Sequence, residues 1–119
     1  MSADFRPVRE IWGEPCGSSL EHNEILSFLE VIADAANTAC QTDEYGEKNV
    51  FTVVNGEAFV EFVEKSPEFT PEFIAGQMEE QGHSLEAERL ATQVQYAKTD
   101  ASNWRQNIGQ AGILRFYVT

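Results

Sequence analysis

Hydrophobic positions along this chain recur with two periods, and each period marks a different kind of element. Ala87, Leu90, Val94, Ala97, Ala101, Trp104 and Ile108 follow one another at steps of 3, 4, 3, 4, 3 and 4 residues, with polar residues at nearly every position between. Only a helix lines up such a series. A long helix is therefore predicted from about Ser84 to about Gln110, with Ser84 as its cap and one stripe covered. Asp100, Ser102, Asn103 and Gly109 are weak helix formers and would allow a break near Thr99. Beyond Gly109 and Gly112 the period changes to two. Leu114, Phe116 and Val118 alternate with Arg115 and Tyr117, which predicts a strand over 113–119.

A second helical stripe lies earlier. Ile25, Phe28, Leu29, Ile32, Ala36, Ala39 and Cys40 share one face, while Glu21, Glu24, Glu30 and Asp34 look away from it. Ser18 and Glu21 have the spacing of a capping box, so this helix is expected to start there and to run to about Thr42. The turn-like Asp43 to Asn49 would follow. Ahead of it, Phe5 to Trp12 is β-prone, and Pro7 restricts it to an edge strand. Residues 13–17, which include Pro15 and two glycines, read as a loop. Near the middle of the chain, Thr70-Pro71-Glu72 is the N-cap, first helical position and first-turn acid of a helix from Pro71 to about Gln81, ended by Gly82.

Val50 to Glu64 fits both periods. Asn55-Gly56 is a strong hairpin signal, because both turn positions favour φ > 0. Folding about it opposes Val53 to Ala58 and Phe51 to Val60, with Phe62 on the same side. In a helix, Phe59, Phe62 and Val63 would also align, opposite Glu57, Glu61 and Glu64. Turn chemistry and register together favour the hairpin. The resulting fold class is α+β in one compact domain over 1–119. It has a small antiparallel sheet, made from a hairpin near 50–64 and the strand at 113–119. The sheet packs against two longer helices and a short one.

Composition adds that 42% of the 119 residues are hydrophobic, enough for a small core. No apolar run is long enough to span a bilayer, and the start of the chain lacks the pattern of a signal peptide. A cytoplasmic protein is expected. Cys16 and Cys40 are too few for a disulfide framework, and reduced thiols fit that compartment.

Charge changes the picture more. The net charge is −12, and it is unevenly spread. Residues 1–49 hold ten acids and three bases, residues 50–82 seven acids and one base, and residues 83–119 three acids and four bases. Such a field repels nucleic acid and anionic membranes and attracts basic proteins. The densest block is Glu57, Glu61, Glu64, Glu68, Glu72, Glu79 and Glu80, with Lys65 alone to offset it.

Catalytic signatures are weak by comparison. Cys16, Cys40, His22 and His83 have no zinc-ligand spacing. Glycine-rich phosphate loops are absent. Cys16 ahead of a helix start, with His22 or His83 as base, has the parts of a nucleophile, but Pro-Cys-Gly-Ser-Ser reads more simply as a turn and cap. No cofactor and no metal are expected, and the chain does not read as an enzyme.

The expected function is therefore protein binding. The seven glutamates would dock on a basic partner, a nucleic-acid-binding enzyme or complex, and block it as an inhibitor or adaptor. Phage anti-defence and toxin-immunity proteins share this size and charge, an analogy of class only. Exposed aromatics such as Trp12, Tyr45 or Phe69 would supply affinity at the contact centre. A different expectation is an assembly subunit that self-associates through the seam at 87–108, as a homo-oligomer.

Overall fold

The computed structural model describes the backbone of Phe5–Pro7 and residues 20–118. Its elements in chain order are β1 (Phe5–Pro7), α1 (His22–Ala35), β2 (Cys40–Tyr45), β3 (Lys48–Val53), α2 (Gly56–Lys65), α3 (Pro71–Glu80), α4 (Ala87–Gln106) and β4 (Leu114–Val118). The strands form one sheet in the order β1-β4-β3-β2. β2, β3 and β4 are antiparallel neighbours, and β1 is added parallel to β4 at one edge. Pro7 therefore lies where a residue without an N–H is tolerated. The expected α+β class, a small antiparallel sheet packed against helices, is what the chain adopts.

The core follows from the two periods. Phe51 and Val53 of β3 and Leu114, Phe116 and Val118 of β4 are buried on one sheet face, and the helices pack there. α1 contributes Ile25, Phe28, Leu29 and Ile32, and α2 contributes Phe59, Val60 and Val63. Trp104 of α4 is in edge contact with Phe116 at 5.2 Å between ring centroids and lies 6.1 Å from Phe59. This aromatic trio ties α2, α4 and β4 into one centre.

Where sequence and structure part, local geometry explains it. The first helix stops at Ala35 instead of running to Thr42. Asn37 takes φ 61, and its N–H and that of Thr38 return to the carbonyls of Asp34 and Ala33. That is a Schellman ending, and asparagine tolerates the left-handed conformation it needs. The chain released there becomes β2. Its start is also displaced: the capping box runs from Glu21 to Glu24, whose Oε1 accepts the Glu21 N–H at 2.9 Å. Ser18 lies outside the described residues.

The hairpin is also shifted along the chain. It joins β2 to β3, with Tyr45 opposite Lys48 across the two-residue loop Gly46-Glu47. Gly46 takes φ 66, the conformation required at the first position of a II′-type turn. Val50–Val53 is a strand as expected, but 56–65 is the helix α2, which corrects the hairpin reading of 50–64. Asn55 caps that helix by accepting the Ala58 N–H on its side-chain oxygen at 3.0 Å. Gly56 meets a packing demand: a Cβ there would lie 2.9 Å from Leu114 Cβ and 3.1 Å from the Gly112 oxygen. Thr38 Oγ1 accepts the Asn55 N–H at 2.9 Å and fixes the entry.

α3 begins on Thr70, whose hydroxyl accepts the Phe73 N–H. It ends at Gly82 (φ 90) in a second Schellman arrangement, with bonds to the Glu79 and Met78 carbonyls. α4 starts at Ala87 behind Glu86, a little later than Ser84, and continues unbroken through Asp100 and Asn103 to Gln106. Buried Ala97, Ala101 and Trp104 hold that stretch helical despite its weak formers.

Candidate functional site

The seven glutamates picked out by the sequence all fall on α2, α3 and the connection between them. Helical spacing puts Glu57, Glu61 and Glu64 together on the outward side of α2. All three are tied into the fold. Arg105, in the last turn of α4, reaches both Glu57 and Glu64, with Nη2 donating to Glu64 Oε1 at 2.6 Å. Lys65 pairs with Glu61 one turn away at 3.5 Å. Two bases thus answer three carboxylates, and α2 is pinned to α4.

The other four are differently placed. Glu68 lies in the connection, and Glu72, Glu79 and Glu80 share one exposed face of α3 with Gly76 between them. Among the described residues none of these four makes an ion pair. Gly76 puts no side chain into the row, and no packing demands a glycine there, since nothing lies within 4 Å of where its Cβ would stand. Glu79 and Glu80 sit in the last turn of α3, where no base is present. Carboxylates at the negative end of a helix dipole cost stability rather than add to it. Their position therefore has no explanation in the fold of α3 itself.

A second acidic surface surrounds β2. Asp43, Glu44 and Glu47 are exposed on and just after this edge strand, and Glu30 and Asp34 are exposed on α1. Burial, followed by the charges of Glu30 and Asp34, pushes the Cys40 thiol pKa up. That places both carboxylates near the first residue of β2 and holds its thiol protonated at neutral pH, the opposite of an activated nucleophile. From Glu10 to Glu47 the chain contains no Lys or Arg. On the sheet face away from the helices a groove of about 520 Å3 runs beside β2, lined by Gln41, Asp43, Glu44, Val50, Arg115 and Tyr117 among others.

The remaining sequence candidates are distributed as follows. Phe69, expected as an exposed anchor, is fully buried between Phe28 and Phe62, with Lys98 Nζ 5.9 Å above its ring. Its polar neighbours in sequence hide a core position. Trp12, Cys16 and the side chain of Tyr45 lie outside the described residues. His22 Nε2 meets Asn49 Oδ1, which joins α1 to β3. No group of three or more His, Cys, Asp or Glu is arranged to hold a metal among the described residues. None of their helices is long and apolar enough to cross a membrane.

The helical seam is consumed within the chain. Leu90, Val94, Ala97, Ala101 and Trp104 are buried in the single protomer, Ala87 is exposed at the helix start, and Ile108 falls beyond its end. An interface along this stripe is therefore already occupied by the chain's own α2 and α3. No protein-family model, curated protein or solved structure matches the chain.

Proposed function

We propose that this is an acidic protein-binding protein, an inhibitor or adaptor that occupies the basic, nucleic-acid-binding surface of another protein. The observation that supports this reading is the α3 row of Glu72, Glu79 and Glu80, joined by Glu68: four carboxylates that make no ion pair among the described residues, two of them at the helix end where they cost stability. Charge retained against the interest of the fold is charge with another use. A net charge of −12 steers encounter with a basic protein and keeps nucleic acid away. The acids of α2 are a smaller part of this surface, because Arg105 and Lys65 already answer them.

Steering sets the association rate; contacts nearer the centre set how long the complex lasts. The resulting inhibition is steric and needs neither cofactor nor metal. Affinity capture from lysate, eluted along a salt gradient, tests the reading. A basic nucleic-acid-handling protein released by moderate salt, whose nucleic-acid binding this chain then competes away, is the expected result. A captured partner that binds nucleic acid equally well with and without this chain contradicts it.

A further inference from the structure

β2 is the outer strand of the sheet, and among the described residues nothing pairs with its far side. The two-residue loop makes Tyr45 and Lys48 the closing hydrogen-bonded pair of the hairpin. The same parity holds at the other end, where the Val54 N–H donates to the Ala39 carbonyl at 3.0 Å. Gln41 and Asp43 therefore exchange their backbone bonds with β3. Thr42 and Glu44 turn their N–H and C=O groups outward, away from the sheet. Both are exposed, so the edge is a strand-pairing template with nothing covering it among the described residues.

The side chains around it select what can pair there. Asp43 and Glu44 both border the groove, Glu47 stands at the turn, and Glu30 and Asp34 lie near Cys40 at the start of the strand. A second copy added through the same edge would set acid against acid, and like charges facing across strands are destabilising. A strand carrying Lys or Arg at alternate positions meets the opposite sign. Asp43 is a groove-side residue on the strand such a partner would adjoin, so the partner's cationic heads meet that carboxylate, while Val50 and Tyr117 lie one and two strands farther in. Acid on this edge therefore closes it to copies of the chain and opens it to a basic strand.

We infer that the β2 edge binds an extended, basic segment of another protein by strand addition, with Thr42 and Glu44 supplying the backbone bonds. This rests on the reading that the chain binds a basic partner, and gives the α3 carboxylates the steering role and the β2 edge the holding one.

The test uses the full chain, isotopically labelled, and a synthetic peptide alternating lysine with valine. Amide hydrogen exchange is followed residue by residue. On peptide binding, the Thr42 and Glu44 amides are expected to slow by about ten-fold or more, while Gln41 and Asp43, already bonded to β3, change little. A peptide alternating glutamate with valine should leave all four unchanged. Thr42→Pro removes one outward N–H without altering charge and should abolish the slowing. A lysine–valine peptide N-methylated at alternate residues makes the same comparison on the unaltered protein. Protection of Thr42 and Glu44 that strengthens with protein concentration in the absence of peptide would mean a second copy occupies the edge, and overturns the inference. Salt-sensitive binding that perturbs α3 and leaves β2 unprotected also overturns it, but leaves the basic-partner reading standing. Failure of any basic probe to bind at low salt removes both.

Discussion

Two neighbouring helices of equal length carry this molecule's densest acid, and they use it differently. α2 presents Glu57, Glu61 and Glu64 to Arg105 and Lys65, so its carboxylates hold a helix in place. α3 presents Glu72, Glu79 and Glu80 to solvent, beside a bare glycine, with two of the acids against the helix dipole. The same residue type serves the fold on one helix and burdens it on the other. Net charge alone does not distinguish the two; the position of a single arginine on a third helix does.

If α2 is truly part of the structural frame, the largest effect should come from beneath it. Trp104→Ala removes the ring that packs on both Phe59 and Phe116, and is expected to lower the unfolding free energy by about 3–5 kcal/mol in urea titration. A loss under about 1 kcal/mol would mean that the trio is not the centre of the core. Gly56→Ala tests the entry of the same helix. Its new methyl would press on Leu114 and on the Gly112 carbonyl, and a destabilisation of about 1–3 kcal/mol is expected. An unchanged midpoint would show that β4 can move aside.

Smaller effects separate the carboxylates themselves. Arg105→Ala should cost about 0.5–1 kcal/mol, because the pairs are partly exposed, and the cost should shrink in high salt. On α3 the sign reverses. Glu79→Gln together with Glu80→Gln relieves the dipole conflict, so stability should rise by about 0.3–1 kcal/mol while association with a basic partner slows. Equal stability before and after would erase the difference between the two helices. The least consequence falls on Cys40. Its raised thiol pKa makes alkylation slower than that of a free cysteine near neutral pH, and Glu30→Gln with Asp34→Asn should speed it. Since the folded thiol pKa lies above the unfolded one, the linked stability is full below the unfolded value and is lost as pH rises through the folded one.

Elements marked by long periods and by caps close to them in sequence were legible from the amino acids alone. Thr70-Pro71-Glu72 starts α3, Gly82 ends it, and Leu114, Phe116 and Val118 face the core. Residues 36–65 were harder, because one dipeptide can answer two physical needs. Asn55-Gly56 has the chemistry of a turn, yet here Asn55 is a cap and Gly56 a contact with Leu114, a partner distant in sequence. The actual turn glycine, Gly46, and the αL residue Asn37 are single residues without a periodic pattern around them. For the site, the acidic block was visible, but its division was not. Arg105 pairs with Glu57 and Glu64 only because α4 packs along α2, and Phe69 is covered only because Phe28 of α1 closes over it beside Phe62 of α2.

The division between structural and steering acid is tested most directly by one rate. The association rate constant with the captured basic partner would be measured across a sodium chloride series, for the unaltered chain and for Glu72→Lys combined with Glu79→Lys and Glu80→Lys. The expected result is an association that falls steeply with salt, and a variant that associates more slowly and with a flatter salt dependence, its stability unimpaired. Identical rates and identical salt dependence would contradict it, and would leave the acids of α3 as solvated surface.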